Sequence, residues 1–190
     1  MKKSLLALTA CWFSVASVSP VNAQNKNLGA SFGLWTQALY FPNDSYGKIV
    51  SSLSGDIAFE YRTSDRFGTG ISNRAAIGYS EGFVHLEDEL RLYALFESRV
   101  GTNARLRLTP GLLAGFDSWL EHEGCDYNLY QVGGGFFFDV SMTWEVNQTW
   151  SVGTSLDYAL KLLFSIGENS YSQLAHVIAL HVFVRFDSRF

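Results

Sequence analysis

Charged residues recur at every second position along several stretches of this chain. Glu89, Arg91, Glu97 and Arg99 share one parity of the stretch 89–100, and Asp157 and Lys161 share one parity of 149–162. The same holds for Asp56, Glu60 and Arg62, for Arg105, Arg107 and Asp117, and for His181 with Arg185. Arg74 and Asp139 stand alone on stretches of their own. Acids and bases collected on one face can pair with one another, and here the two signs nearly balance. Balance is what a confined interior requires, because a buried charge without a partner is costly. The expected chemistry is an ion-pair network that fills a lumen. A narrow polar path for small solutes is the alternative.

Other chemistries find less support. His176 and His181 are followed two residues on by Ile178 and Phe183, so no nucleophile sits beside a base. No catalytic residue is assigned and no enzyme activity is expected. Glu121-His122-Glu123 with Asp126, and His85, fall in segments read as loops. That acidic cluster has the makings of a weak divalent-cation ligand set, but also of a solvated loop tip, and no metal is assigned. Gly133-Gly134-Gly135 lacks the following helix and Lys of a phosphate loop. No cofactor is expected. The formal net charge of −4 and the absence of a basic cluster exclude nucleic acid as a partner.

The elements that must hold these charges are strands. Side chains that alternate with a period of two mark β-structure. Between the charges lie apolar residues, as in Leu90, Leu92, Ala94 and Phe96, or Leu156, Tyr158, Leu160 and Leu162. Eight such strands are expected, at about 28–40, 51–62, 69–80, 89–100, 104–117, 129–144, 149–162 and 174–188. The face opposite the charges carries none over these lengths, which suits contact with lipid. Only a closed barrel lets strands cross a bilayer, because no backbone group can be left unpaired in hydrocarbon. The expected fold is an all-β, eight-stranded antiparallel up-and-down transmembrane barrel. A secreted lipocalin-like barrel or sandwich, with the apolar face inward, is the soluble competitor.

Connections at 63–68, 101–103 and 145–148 are short. Those at 41–50, 81–88, 118–128 and 163–173 are longer, and would lie outside the cell. Pro110 cannot donate a ladder hydrogen bond, so a bulge or local break is expected there. Aromatic residues make up 15 % of the chain and gather near strand ends. Tyr40, Phe41, Tyr79, Phe83, Trp119, Tyr130 and Phe164 would form the outer girdle. Tyr61, Phe67, Trp144, Trp150 and Phe190 would form the inner one.

The first residues, Met1-Lys2-Lys3, then an apolar run from Leu5 and Val21-Asn22-Ala23, have the form of a secretory signal peptide. Cleavage is expected after Ala23, which divides the chain into a signal peptide at 1–23 and a barrel domain at 24–190. Losing Lys2 and Lys3 takes the net charge from −4 to about −6. Leu8-Thr9-Ala10-Cys11 resembles a lipoprotein cleavage box, although the apolar run continues past Cys11. After cleavage at Ala23, Cys125 is the one remaining cysteine, which rules out an intramolecular disulfide.

The last strand ends Val182, Val184, Phe186 and Phe190, with apolar residues two apart. This resembles the C-terminal signature of bacterial outer-membrane barrels, with Ser188 departing from it. As a whole the chain resembles the small outer-membrane barrels of the OmpA transmembrane domain, OmpX and OmpW kind. The resemblance implies a bacterial outer-membrane location and insertion by the barrel-assembly machinery, which would read Phe186 and Phe190. It implies outer-membrane lipid as a partner and a possible surface ligand at the outer loops. For OmpX-like barrels it implies surface binding. For OmpW-like barrels it implies passage of small hydrophobic molecules through a mostly apolar lumen, from which the charged lumen here departs, and a narrow OmpW-like channel for small solutes stays the alternative. Some barrels of this size deacylate lipid A with a His and a Ser two residues apart, and Ile178 stands where that Ser would follow His176. A lipid-modifying enzyme is therefore only a minor alternative.

Overall fold

A computed structural model describes residues 26–41, 46–64, 66–80, 82–121, 129–166 and 172–189. Ala23, Cys11, Cys125, Phe190 and most of the acidic segment 121–126 lie outside them.

The chain forms β1 (Lys26–Phe41), β2 (Tyr46–Arg62), β3 (Phe67–Ser80), β4 (Phe83–Val100), β5 (Ala104–Glu121), β6 (Leu129–Glu145), β7 (Trp150–Ser165) and β8 (Ser172–Arg189). Each strand pairs antiparallel with the next, and β1 pairs with β8 from Asn27↔Arg189 to Tyr40↔His176. The result is a closed eight-stranded antiparallel barrel. Closure removes the free edges that an open sheet would present.

Strand parity decides which side chains face out. On β1, Phe32 and Leu34 are each 68 % exposed, while Trp35 between them and Thr36 is 1 % exposed. Large apolar side chains cover the outside on every strand, including Ile49, Ile77, Leu92, Leu112, Phe136 and Val182. The inside holds the charges. This is the reverse of a soluble barrel, and it excludes the lipocalin-like reading.

The turn end of the barrel is held by local hydrogen bonds. Asn147 Oδ1 accepts from the N–H groups of Thr149 and Trp150, both at 2.8 Å, an Asx turn that closes the β6–β7 hairpin. At the opposite, loop end the strands run further than alternation suggested. β2 begins at Tyr46, β4 at Phe83, and β5 continues to Glu121. The connection between β3 and β4 shrinks to 81–82, where Gly82 takes φ +87°. The reason the 83–88 segment reads as a loop is Asp88. It falls on the outward face and breaks the charge-free pattern. In the structure Asn73, outward on β3, donates from Nδ2 to Asp88 Oδ1 at 2.6 Å and satisfies it.

Pro110 lies inside β5 without a bulge. The β4–β5 ladder stops at Tyr93↔Gly111 and resumes at Phe96↔Leu108 in unchanged register. On its other edge Pro110 still pairs with Phe138. The missing N–H opens one side of the strand only.

Two aromatics expected in the outer girdle turn inward. Trp119 is 6 % exposed, and Phe83 packs against the same interior cluster. With Leu39, Val50, Leu113, Phe137, Leu163 and Val177, Trp119 forms an apolar cluster that runs from the loop end into mid-lumen. Charged side chains interleave with this cluster, Arg91 lying over Phe137 and Lys161 one pleat loopward of Ala159 and its ladder partner Val177.

Candidate functional site

The polar interior is the candidate site. β-Pleating points every second side chain inward, and the small radius of an eight-stranded barrel brings residues of non-neighbouring strands into contact. The ion pairs fall into two networks that share no residue.

The first lies toward the turn end and centres on Glu60 and Glu97. Arg107 Nη2 reaches both oxygens of Glu60, at 2.6 and 2.8 Å. Arg185 Nη2 and Tyr93 Oη each donate to Glu60 Oε1 at 3.2 Å. Arg62 presents its fork to Glu97, Nη1 to Oε1 and Nη2 to Oε2, both at 3.0 Å. Such bidentate pairs are among the stronger charge-assisted hydrogen bonds. Arg105 Nη1 adds a bond to Glu97 at 2.9 Å, and Arg107 Nε lies 3.1 Å from Glu97 Oε2. Arg105 also pairs with Glu145, and Arg185 with Asp187 at 2.8 Å.

The second network occupies the middle and the loop side. Asp157 Oδ2 accepts from Arg91 Nη1 at 2.6 Å and Arg74 Nη1 at 2.8 Å. Arg74 also faces Asp56 at 3.5 Å, and Arg91 holds Glu89 at 2.6 Å. Both guanidiniums lie over aromatic faces, Arg74 4.6 Å from Trp35 and Arg91 4.6 Å from Phe137. These stacks hold the cations in place where water is scarce. Lys161 Nζ sits 2.5 Å from both Glu87 and Glu89, and 3.9 Å from Asp117.

Several expected members sit apart from these networks. Arg99 is exposed at the turn end of β4 and joins neither. It faces inward by parity, but the strand end has already left the enclosed interior. Asp139 is buried opposite Asp157 and accepts from Thr109 Oγ1 at 3.2 Å, without an ion pair among the described residues. His181 is buried with its Nε2 3.0 Å from Ser54 Oγ. That places a hydroxyl beside an imidazole, from β2 and β8, as spacing along the chain could not foretell. No carboxylate pairs with His181 among the described residues, and both groups are shut inside the barrel. Phe186 is half-buried, edge-on to Trp150 at 5.2 Å. His176 lies on the outer face, its Nδ1 2.9 Å from Tyr158 Oη.

Sequence reading missed Glu87, Glu145 and the buried position of His85. Glu87 and His85 read as loop residues because Asp88 interrupts the apolar face. The uninterrupted parity of Phe83, His85, Glu87 and Glu89 was the signal available. His85 Nε2 lies 3.2 Å from Asp117 Oδ1, and Gln37 Nε2 lies 3.4 Å from His85 Nδ1 and donates to Glu87 Oε2 at 3.1 Å.

Side chains leave little space between them. A cavity of about 70 Å³ in mid-lumen is lined by Asp56, Tyr93, Asp139 and His181, among others. A second, of about 30 Å³, lies near Arg62, Glu97 and Asn147. Volumes of this size hold a few water molecules, not a solute.

No family model and no curated protein matches the chain. Solved structures do. Neisserial surface protein A is 13 % identical with a TM-score of 0.59, over 87 % of this chain and 97 % of that one. Ail, the attachment invasion locus protein of Yersinia pestis, is 11 % identical with a TM-score of 0.53, over 86 % and 99 %. The outer membrane protein OprG from Pseudomonas aeruginosa is 8 % identical with a TM-score of 0.52, over 88 % and 98 %. At these identities the likeness is one of fold. The chain has the architecture of small eight-stranded outer-membrane barrels.

Proposed function

We propose that this chain is an integral outer-membrane barrel with a closed lumen, which acts as a structural or surface-interaction protein through its loop end. The observation that carries the reading is that ion pairs tie non-neighbouring strands together across the interior, as Glu60 of β2 does with Arg107 of β5 and Arg74 of β3 with Asp157 of β7. A conducting pore needs a continuous polar path, and here paired side chains and the apolar cluster around Trp119 and Phe137 fill the interior to small cavities.

The outward band of exposed apolar residues fits outer-membrane lipid, and the resemblance in fold supports that placement. Export by a signal peptide cleaved after Ala23, and insertion by the barrel-assembly machinery reading Phe186 and Phe190, belong to the same proposal. At the loop end the connections are 42–45, 81–82, 122–128 and 166–171, shorter than an extended adhesive surface. They and the adjoining strand end carry Asp44, Glu81, Glu121, Glu123, Asp126 and Glu168. An acidic rim suits a cationic or neutral partner. It does not suit a polyanion such as the heparin analogue sucrose octasulfate bound by Ail.

The test is conductance of the folded protein in a planar lipid bilayer, with heat-shifted gel mobility to verify folding. A folded and silent barrel is expected. Reproducible single-channel steps would overturn the closed-lumen reading in favour of a small-solute channel.

A further inference from the structure

The two lumen networks differ in charge. Toward the turn end, Arg62, Arg105, Arg107 and Arg185 meet Glu60, Glu97, Glu145 and Asp187, four against four. On the loop side, Arg74, Arg91 and Lys161 meet Asp56, Glu87, Glu89, Asp117 and Asp157, three against five. Among the described side chains the second network is two positive charges short. Asp139, buried beside it, adds a further carboxylate. Carboxylates held out of water without counter-charge are costly, and a bound cation relieves that cost.

The sheet has built a place for one. Glu87 and Asp117 are direct partners across the β4–β5 ladder, and His85 is one pleat further on the same inward face. A ring nitrogen of His85 and one oxygen each of Glu87 and Asp117 lie within 4.8 Å of one another, and all three residues are buried. Two amides add a separate indication. Gln37, fully buried and bonded to Glu87, leaves its Oε1 without a hydrogen-bond partner. Gln131, opposite Asp117 and fully buried, leaves both Oε1 and Nε2 without one. Buried polar atoms rarely go unpaired without a reason.

We propose that His85, Glu87 and Asp117 bind one divalent transition-metal ion inside the loop end of the lumen, with an amide oxygen of Gln37 or Gln131 completing the shell. The donor set selects the metal class. Imidazole with carboxylate oxygens suits Zn²⁺, Co²⁺ or Mn²⁺, whereas Mg²⁺ and Ca²⁺ take oxygen ligands alone. A charge of two matches the deficit of the network. Lys161 is the resident competitor, since its ammonium lies 2.5 Å from Glu87. On metal binding it keeps Glu89, which it also holds at 2.5 Å. The Trp119 ring lies 4.2 Å from that of His85 and seals the site on the loop side. Exchange is therefore slow, and Trp119 is the natural reporter.

The experiment uses Co²⁺ with the protein folded in detergent micelles in its presence, with heat-shifted mobility as the folding check. One Co²⁺ per chain is expected, with visible d–d bands and fluorescence quenching that is lost in Trp119→Phe. His85→Ala should weaken binding by at least about tenfold, the scale at which even outer-shell changes act on metal sites. Lys161→Gln should bind more tightly than the parent chain, which a merely adventitious surface site would not do. Folded parent and folded Lys161→Gln proteins that both bind no Co²⁺ would overturn the proposal and leave protons to offset the surplus. Undiminished stoichiometric binding in His85→Ala would equally overturn it and move the ion to the acidic loops. If His85→Ala fails to fold, Glu87→Gln carries the same comparison.

Discussion

Arg107 of β5 grips both oxygens of Glu60 on β2, at 2.6 and 2.8 Å, across the lumen rather than along a ladder. Cutting one side of such a pair strands the other charge. Arg107→Ala is expected to lower barrel stability by about 3 kcal/mol, within the range for a broken buried pair. Arg62 and Arg185 still face Glu60 and hold the loss to that scale. Adding Glu60→Ala to Arg107→Ala should recover part of it. The temperature at which the heat-shifted gel band appears measures the series.

Arg91 links Glu89 to Asp157 and covers the face of Phe137. Arg91→Ala would enlarge the mid-lumen cavity that Arg91 helps to line. Lower thermal stability is expected, together with conductance above that of the parent chain. Because the freed groups are carboxylates, that conductance should be cation-selective. Reversal potentials in a salt gradient decide it, and anion selectivity would contradict the charge assignment.

Asp88 places a carboxylate on the lipid-facing surface, and Asn73 is its donor at 2.6 Å. Asn73→Leu should cost about 1–3 kcal/mol, because it leaves a carboxylate unsatisfied where water is scarce. Asp88→Leu should be neutral or stabilising. The double variant Asn73→Leu with Asp88→Leu should regain what Asn73→Leu loses. Urea-dependent unfolding in lipid vesicles distinguishes these outcomes.

A Cβ at Gly70 would stand 2.5 Å from the Tyr93 ring. Gly70→Ala should push that ring aside and break the Tyr93 hydrogen bond to Glu60, costing about 1–3 kcal/mol. At Gly55 the nearest contact is the exposed Phe32 ring at 3.3 Å, which can swing away. Gly55→Ala should be tolerated, and equal losses at both positions would contradict the packing argument.

Much of this molecule was legible in its sequence, because a strand's two faces are a local property. Trp35 inside and Phe32 outside follow from a period of two, whatever the rest of the chain does. The same parity assigned Glu60, Arg74, Arg107 and Asp157 to one face, and the strand count and alternation implied closure. The reading failed where one residue broke the pattern. Asp88 hid the start of β4, and with it His85 and Glu87. Trp119 reads as a girdle residue from sequence, because aromatic type near a strand end does not say which way the side chain points.

Tertiary structure alone decided who pairs with whom. Glu60 meets Arg107, and Arg74 meets Asp157, only because strands far apart in sequence face each other across a narrow lumen. Their register and tilt are set by the ladder around the whole barrel. The division of an overall charge balance into one neutral network and one acid-rich network is of the same kind. Counting residues along the chain gives their sum, but electrostatic energy depends on distance, and the distances exist only once the barrel is closed.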